Sequence, residues 1–435
     1  MCKKHLPKNV TRRDILRYTM AAAGIAALGP LGRGLMREAS GTPLTNHRRL
    51  VSLFGYGGYD GLNLLVPVTN QAYHDRRPGI RIDPGNALDI GETDYALHPS
   101  MTNLQTLFNA GEAAAFRMVG YPDANLSHFI SQDIHSWGVR GEFNPLGMDE
   151  SGWVARYADL HAPTSMGAAA IGVGRPLEFE GGSSNPFMAG SLNGFDFTTS
   201  NIGSTDHAHR LNALADVLGN FSGNALTTEA KNALDQGVQL TDQIQLAVDN
   251  YEADPMSSGG SSFSGVYGND RPARYLRDAA ILIHGGFETR VFMTGFGGWD
   301  THGNQGAETG TQATLIQRLD HAIGTFADDC KEMGVWNDML ILVSSEFGRR
   351  NFENGSGGTD HGHGNIFFAI GGNLQPGTKL YGPEITEADI ADQNWLHYEL
   401  DYRDVFREAI SNHLGGNGAL VFPESQDINT SLGYV

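Results

Sequence analysis

The chain has 435 residues, 40% of them hydrophobic and 18% charged, with 57 glycines and 17 prolines. That composition excludes collagen-like and disordered classes and leaves enough apolar material for a sizeable core. The formal net charge is −19, and it is uneven: residues 1–40 carry eight Lys/Arg against Asp14 and Glu38, so the remainder is more acidic still. Such a body repels phosphate backbones and anionic lipid head groups, so neither nucleic acid nor a membrane surface is an expected partner, whereas cations are.

Lys3, Lys4, Lys8, Arg12, Arg13 and Arg17 precede the apolar run Met20–Leu28 and then Gly29-Pro30. This is the charged-then-apolar order of an export signal. Thr11-Arg12-Arg13-Asp14-Ile15-Leu16-Arg17 resembles the twin-arginine motif, with Ile15 in place of the usual Phe. Residues 1–40 are therefore expected to be a signal handled by the twin-arginine translocase, with a periplasmic or extracellular destination. Residues 41–435 are expected to form one domain. No apolar stretch approaches the ~20 residues that span a bilayer, so no stable membrane anchor is expected. Cys2 falls within the signal and Cys330 is left alone, which excludes an intramolecular disulfide after its removal.

In chain order, Arg49–Phe54 reads as a buried strand feeding the glycine-rich turn Gly55–Asn63. Further strands are expected at 114–119, 168–173, 290–294, 339–344 and 366–370. His98 precedes Pro99 and a helix, and reads as structural. A polar helical stretch over 207–253 and the Ser/Gly-rich 257–265 read as a helical insertion and flexible loop rather than a second domain. The clearest helix is Gln312–Met333, with Leu315, Leu319, Ile323 and Phe326 on one face and Gly334 as its stop. A short amphipathic helix over 402–415 follows. Strands alternating with helices predict an α/β domain with a mostly parallel central sheet flanked by helices, and active-site residues in loops at the strands' carboxyl ends.

Three of those loops concentrate metal-type ligands. Gly297–Gly303 places Asp300 and His302 two apart, where extended backbone aims both at one ion or pairs them by a hydrogen bond. Glu346 ends an apolar strand and must be solvated, metal-bound, or paired with Arg349 or Arg350. Gly357–Gly364 holds Asp360, His361 and His363 among four glycines; the two imidazoles suit a divalent ion such as zinc or manganese, with Asp360 a ligand or the acceptor that fixes a tautomer. Asp60 on the first turn is either a further ligand or a turn aspartate. Ser127 opens a helix, as its N-cap or as a hydroxyl nucleophile. His128 and Asp133 on that helix are candidates to orient substrate or move a proton, and Arg349 is a candidate to bind an anionic oxygen.

Together, Gly57–Asn63, Leu97-His-Pro99, Ser127–Phe129 with Gln132-Asp133, Gly298–His302, Ser345–Arg349 and Gly355–Gly364 resemble an exported bacterial family catalogued as domain of unknown function 1501. That family is similar to the alkaline-phosphatase and sulfatase superfamily. The resemblance implies an alkaline-phosphatase-like fold and a divalent metal (zinc, manganese or calcium) on Asp60, Asp300, His302, Glu346 and His361 or His363. Ser127 lies roughly where the superfamily's nucleophile stands. Two departures are visible: Glu346-Phe347 replaces the superfamily's Asp-His, and no Cys/Ser-x-Pro-x-Arg sulfatase motif occurs, since Ser184–Met188 lacks the arginine. The implied activity is hydrolysis of a small anionic phosphate or related ester. The alternative is a non-catalytic metal-binding or assembly partner of another exported protein on the same fold.

Overall fold

A computed structural model of the chain describes residues 46–140, 151–193 apart from 175 and 185, 225–253, 263–423 and 431–435, with isolated positions 195, 213 and 216. The expected signal at 1–40 and most of 207–224 and 254–262 lie outside the described residues. Within them, no helix is long and apolar enough to cross a membrane.

The strands are β1 (Arg49–Tyr56), β2 (Leu65–Pro67), β3 (Leu88–Asp89), β4 (Tyr95–Leu97), β5 (Ala113–Gly120), β6 (Ala168–Ile171), β7 (Phe187–Ala189), β8 (Val291–Gly297), β9 (Met339–Ser344), β10 (Asn365–Gly371), β11 (Leu380–Tyr381) and β12 (Leu400–Asp401). Nine of them form one sheet in the order β11-β5-β10-β9-β1-β8-β6-β7, with β12 also on β5. β1 is the centre, parallel to both β8 and β9. β10 runs antiparallel to β5 and β9, and the other described pairings in this sheet are parallel. The expected strands are present, and the sheet is the mostly parallel one predicted. The reversal of β10 and the small antiparallel sheet β2-β4-β3 are additions.

Both faces of the large sheet are covered, because the strands alternate apolar side chains to each side. On β9, Met339, Ile341 and Val343 enter one cluster while Leu340 and Leu342 enter the other. The first face is packed by the helix Thr311–Glu332 through Leu315, Ile316, Leu319, Ile323 and Phe326, and by Leu276 and Ala280 of the helix Arg271–His284. The helix Thr311–Glu332 stops where Gly334 takes φ +70°, as its sequence position required. The opposite face takes Trp153, Val154 and Tyr157 together with Val405, Phe406 and Ile410. Cys330 is a buried free thiol. The stretch expected to be helical supplies the long helix Ala225–Ala253, joined to the core by Tyr251, whose hydroxyl donates to buried Asp329 at 2.6 Å.

The sheet explains why distant motifs meet. β1, β5, β8 and β9 all end at one edge, delivering Gly57–Asp60, the segment leading to Ser127, Gly298–His302 and Ser345–Glu346. Because β10 runs the other way, the loop 357–364 that precedes it opens onto that same edge. Gly57 and Gly58, at φ +118° and +63°, let the first turn pack so tightly that a Cβ on Gly58 would stand 2.5 Å from the Phe347 ring.

Candidate metal centre

The centre of the site is one oxygen. Asp300 Oδ1 lies 3.3 Å from His128 Nε2, 3.0 Å from His302 Nε2, 3.2 Å from His361 Nε2 and 2.7 Å from a terminal nitrogen of Arg349. The Nε2 atoms of His302 and His361 are 2.9 Å apart. Burial works against its ionised form, but hydrogen bonds from Arg349 and the charge of the same guanidinium outweigh this and bring the Asp300 carboxyl down to about 2.

Each imidazole is held from behind through its other nitrogen. His128 Nδ1 meets Glu346 Oε1 at 2.8 Å, His302 Nδ1 meets Asp360 Oδ1 at 3.0 Å, and His361 Nδ1 meets the Leu126 carbonyl at 2.7 Å. A carbonyl and two carboxylates can only accept, so each Nδ1 carries the donated proton and, in the neutral ring, each Nε2 presents a lone pair. Asp360 is kept ionised by hydrogen bonds from Asn354 and His302. Glu346 is buried, which alone would raise its pKa; hydrogen bonds from His128, Gln132 and others hold it below the ordinary range. Its Oε1 also accepts from the Gly57 backbone N–H at 2.9 Å, and its Oε2 from Ser345 at 2.8 Å.

The result is three nitrogen lone pairs and one carboxylate oxygen facing a common space. Arg349 donates to that oxygen, His128 Nε2 is buried with no hydrogen-bond partner, and the hydrogen bond to Glu346 pushes the His128 imidazole above its ordinary pKa. The ligand atoms of His128, Asp300 and His361 all lie within 4.8 Å of one another. The separations of Asp300 Oδ1 from the three Nε2 atoms, and of His302 from His361 Nε2, 2.9–3.3 Å, are near the ~3.3 Å that zinc with bonds of ~2.0–2.1 Å sets between neighbouring ligand atoms, with His302 standing at the margin of the group formed by His128, Asp300 and His361. Carboxylate or carbonyl acceptors behind metal-facing imidazoles are the usual support of such centres. The donor set fits a divalent cation.

The expected residues divide accordingly. Asp300, His302 and His361 converge, and His128, expected to orient substrate, joins them. Glu346 and Asp360 stand behind the imidazoles. Asp60 does not reach the cluster: it is buried and bound by Arg77 at 2.6 Å and by Gln305 at 2.7 Å, a closed internal ion pair. His363 turns the other way; its Nε2 meets the Tyr121 carbonyl at 2.7 Å and its ring packs edge-on to Tyr121. Arg349 is no anion hook. Its guanidinium side chain is fully buried and donates to the carbonyls of Gly57, Gly58, Trp299 and Thr359 as well as to Asp300, tying three loops together. His98 is structural, bonded to Ala307 and Ser100.

Ser127 precedes the helix His128–Trp137 and caps it with no side-chain hydrogen bond, so the hydroxyl is not used by the helix. Asp133 lies outside the cluster and lines a neighbouring cleft of about 430 Å³; burial raises its pKa. The motif contained Gln132 without a role for it; its amide donates to Glu346 Oε1 at 2.8 Å, and Asn354, which sequence reasoning did not single out, donates to Asp360 at 3.0 Å. Spacing could have found Gln132, which stands four residues after His128 on one helix face.

Among curated proteins, none matches the chain. Solved structures that it resembles include a protein in the alkaline phosphatase superfamily from Vibrio parahaemolyticus (12% identity, TM-score 0.34, covering 88% of this chain and 74% of that one). Another is the lipoteichoic acid synthase LtaP from Listeria monocytogenes (7%, 0.33, 83% and 76%). A third is the alkaline phosphatase from the Antarctic bacterium TAB5 (12%, 0.29, 79% and 96%). Residues 193–398, which contain Asp300, His302, Glu346, Asp360 and His361, match the family described as protein of unknown function (DUF1501), the family to which the motifs pointed.

Proposed function

We propose that the protein is an exported, metal-dependent hydrolase of a phosphate or related ester, with the metal held by His128, Asp300, His302 and His361. The observation that carries this reading is the convergence of three imidazole Nε2 atoms on one ionised carboxylate oxygen, at 3.0–3.3 Å, with every Nδ1 engaged by an acceptor behind it. Four acceptors in one space repel one another unless a cation lies among them. Three imidazoles and one carboxylate favour zinc or manganese over calcium, which prefers an all-oxygen shell.

A divalent cation bound there supplies Lewis-acid polarisation of the ester to be cleaved. The chain's own groups do the rest. Glu346, Asp360 and the Leu126 carbonyl hold the proton of each imidazole on Nδ1 and fix the rings' orientation. Arg349 and Gly57 lock the loops that carry Asp300 and Glu346. Ser127, released from capping and adjacent in sequence to His128, is the hydroxyl offered as nucleophile at the helix N-terminus.

One observation favours the alternative, a metal-binding protein that cleaves nothing: Arg349 is consumed by backbone carbonyls, so it contributes no free guanidinium to an anionic ester. The two readings separate in one series. Protein purified without chelator is analysed for metal beside a His302→Ala/His361→Ala variant shown to be folded, then assayed on phosphate mono- and diesters before and after chelation. About one equivalent of metal lost in the variant, with turnover abolished by chelation, supports the hydrolase. Bound metal with no turnover on any ester supports the alternative, and no metal after reconstitution overturns both.

A further inference from the structure

The cleft beside the cluster has a chemistry of its own. Its volume of about 430 Å³ lies in the range of small-molecule sites. One end adjoins the metal centre: Tyr56 precedes Gly57, whose N–H donates to Glu346 Oε1, and Gln132 donates to the same oxygen. The lining then runs along Asp133 and Ser136 of the helix His128–Trp137 to Glu178, with the glycine backbone at the ends of β6 and β8 opposite.

We propose that this cleft holds the neutral, polyhydroxylated part of the ester, a sugar or polyol; this rests on the hydrolase reading and names its substrate class. With Glu178 held largely as the neutral acid by burial, Asp133 is matched by Arg271, the one cation of the lining, and no surplus of positive charge invites a second anionic group. The presence of Arg271 opposes an ammonium group. A lipid chain would be set against carboxyl, hydroxyl and amide groups left without partners. Hydroxyl groups both donate and accept, and the lining offers both. Gln132 keeps one amide hydrogen beyond the one it gives Glu346, Ser136, whose hydroxyl bonds Glu178, keeps its oxygen as an acceptor, and burial raises the Glu178 carboxyl to about 7, so that near neutrality it donates as well as accepts. Tyr56, Tyr275 and Phe296 add the apolar surface on which a sugar ring rests.

The test uses the full mature protein, with metal content measured in every sample. Saturation-transfer NMR is run with maltose, cellobiose, N-acetylglucosamine and glycerol, and in parallel with choline and inorganic phosphate. Gly174 lines the cleft with nothing within 4 Å of where its Cβ would stand, so Gly174→Trp fills the space without displacing a neighbour. The expected result is saturation of at least one saccharide or polyol by the wild type, at least a tenfold loss of it in Gly174→Trp, unchanged bound metal, and about tenfold weaker affinity in Asp133→Asn. Saturation of choline alone, of none of the four hydroxylated probes, or of a saccharide equally in Gly174→Trp overturns the proposal. Saccharide binding by wild type that takes up no metal after reconstitution overturns the hydrolase reading and leaves the cleft assignment standing.

Discussion

Two turns of this molecule are near copies in sequence and opposites in chemistry. Gly57-Gly58-Tyr59-Asp60 follows β1 and Gly297-Gly298-Trp299-Asp300 follows β8. The two strands pair in parallel with Tyr56 opposite Gly297, and the Tyr59 and Trp299 rings pack edge to face at 5.7 Å. Yet Asp60 is 1% exposed and held only by donors, Arg77 and Gln305, while the side chain of Asp300 is 45% exposed and, besides the donor Arg349, faces the Nε2 atoms of three imidazoles. What an aspartate at a strand end does is decided by whether donors alone surround it or imidazoles able to ligate a metal gather there as well. The first kind of site holds the fold together; the second calls for a cation from outside.

The largest effect that would break this contrast is on metal. His361→Ala should lower metal affinity by more than about a hundredfold with little change in secondary structure, measured by competition against a chromogenic chelator. Asp60→Ala should do the reverse: about 3–5 kcal/mol of stability lost in urea denaturation, because Arg77 is left buried and unpaired, with metal affinity within a few-fold of wild type. If Asp60→Ala abolished metal binding, the two turns would not be chemically distinct.

Glu346→Gln sharpens the contrast from behind the cluster. The amide cannot accept from His128, Gln132, Gly57 and Ser345 as the carboxylate does, and metal affinity should fall about 10- to 100-fold while the protein stays folded. The smallest effect concerns a histidine with no part in the site. Burial lowers His413 to about 4, below its ordinary 6.5. Its protonation therefore favours the unfolded chain, so its neutral form supports the fold above pH ~6.5 and that support is lost as pH falls toward 4. His413→Gln should flatten the decline in stability between pH 7 and 5 by up to about 2 kcal/mol in denaturation curves at the two pH values.

Much of this was legible beforehand because apolar runs and periodicity report burial. β9, whose sequence is a run of large apolar residues, was located to the residue, and the helix Thr311–Glu332 within one at either end. The loops that hold the cluster were also visible, since Asp, His and Glu among glycines at strand ends have few other uses. Their division of labour was not. His361 and His363 stand two apart, as do Asp300 and His302, but only the second pair faces one point, because the first follows an irregular loop and not an extended strand. His128 and Ser127 lie far from the other ligands in sequence, and only the order of β5, β10, β9, β1 and β8 brings their loop to the edge where Asp300 waits.

The positions of the ligands, 128, 300, 302 and 361, carry a consequence for timing. A nascent chain holds no two neighbouring loops of the centre until β8, β9 and β10 have joined β1, so an ion can be captured only by a molecule that is nearly finished folding. Under the export proposed above, the choice of metal then belongs to the compartment where the sheet closes rather than the one to which the protein is sent.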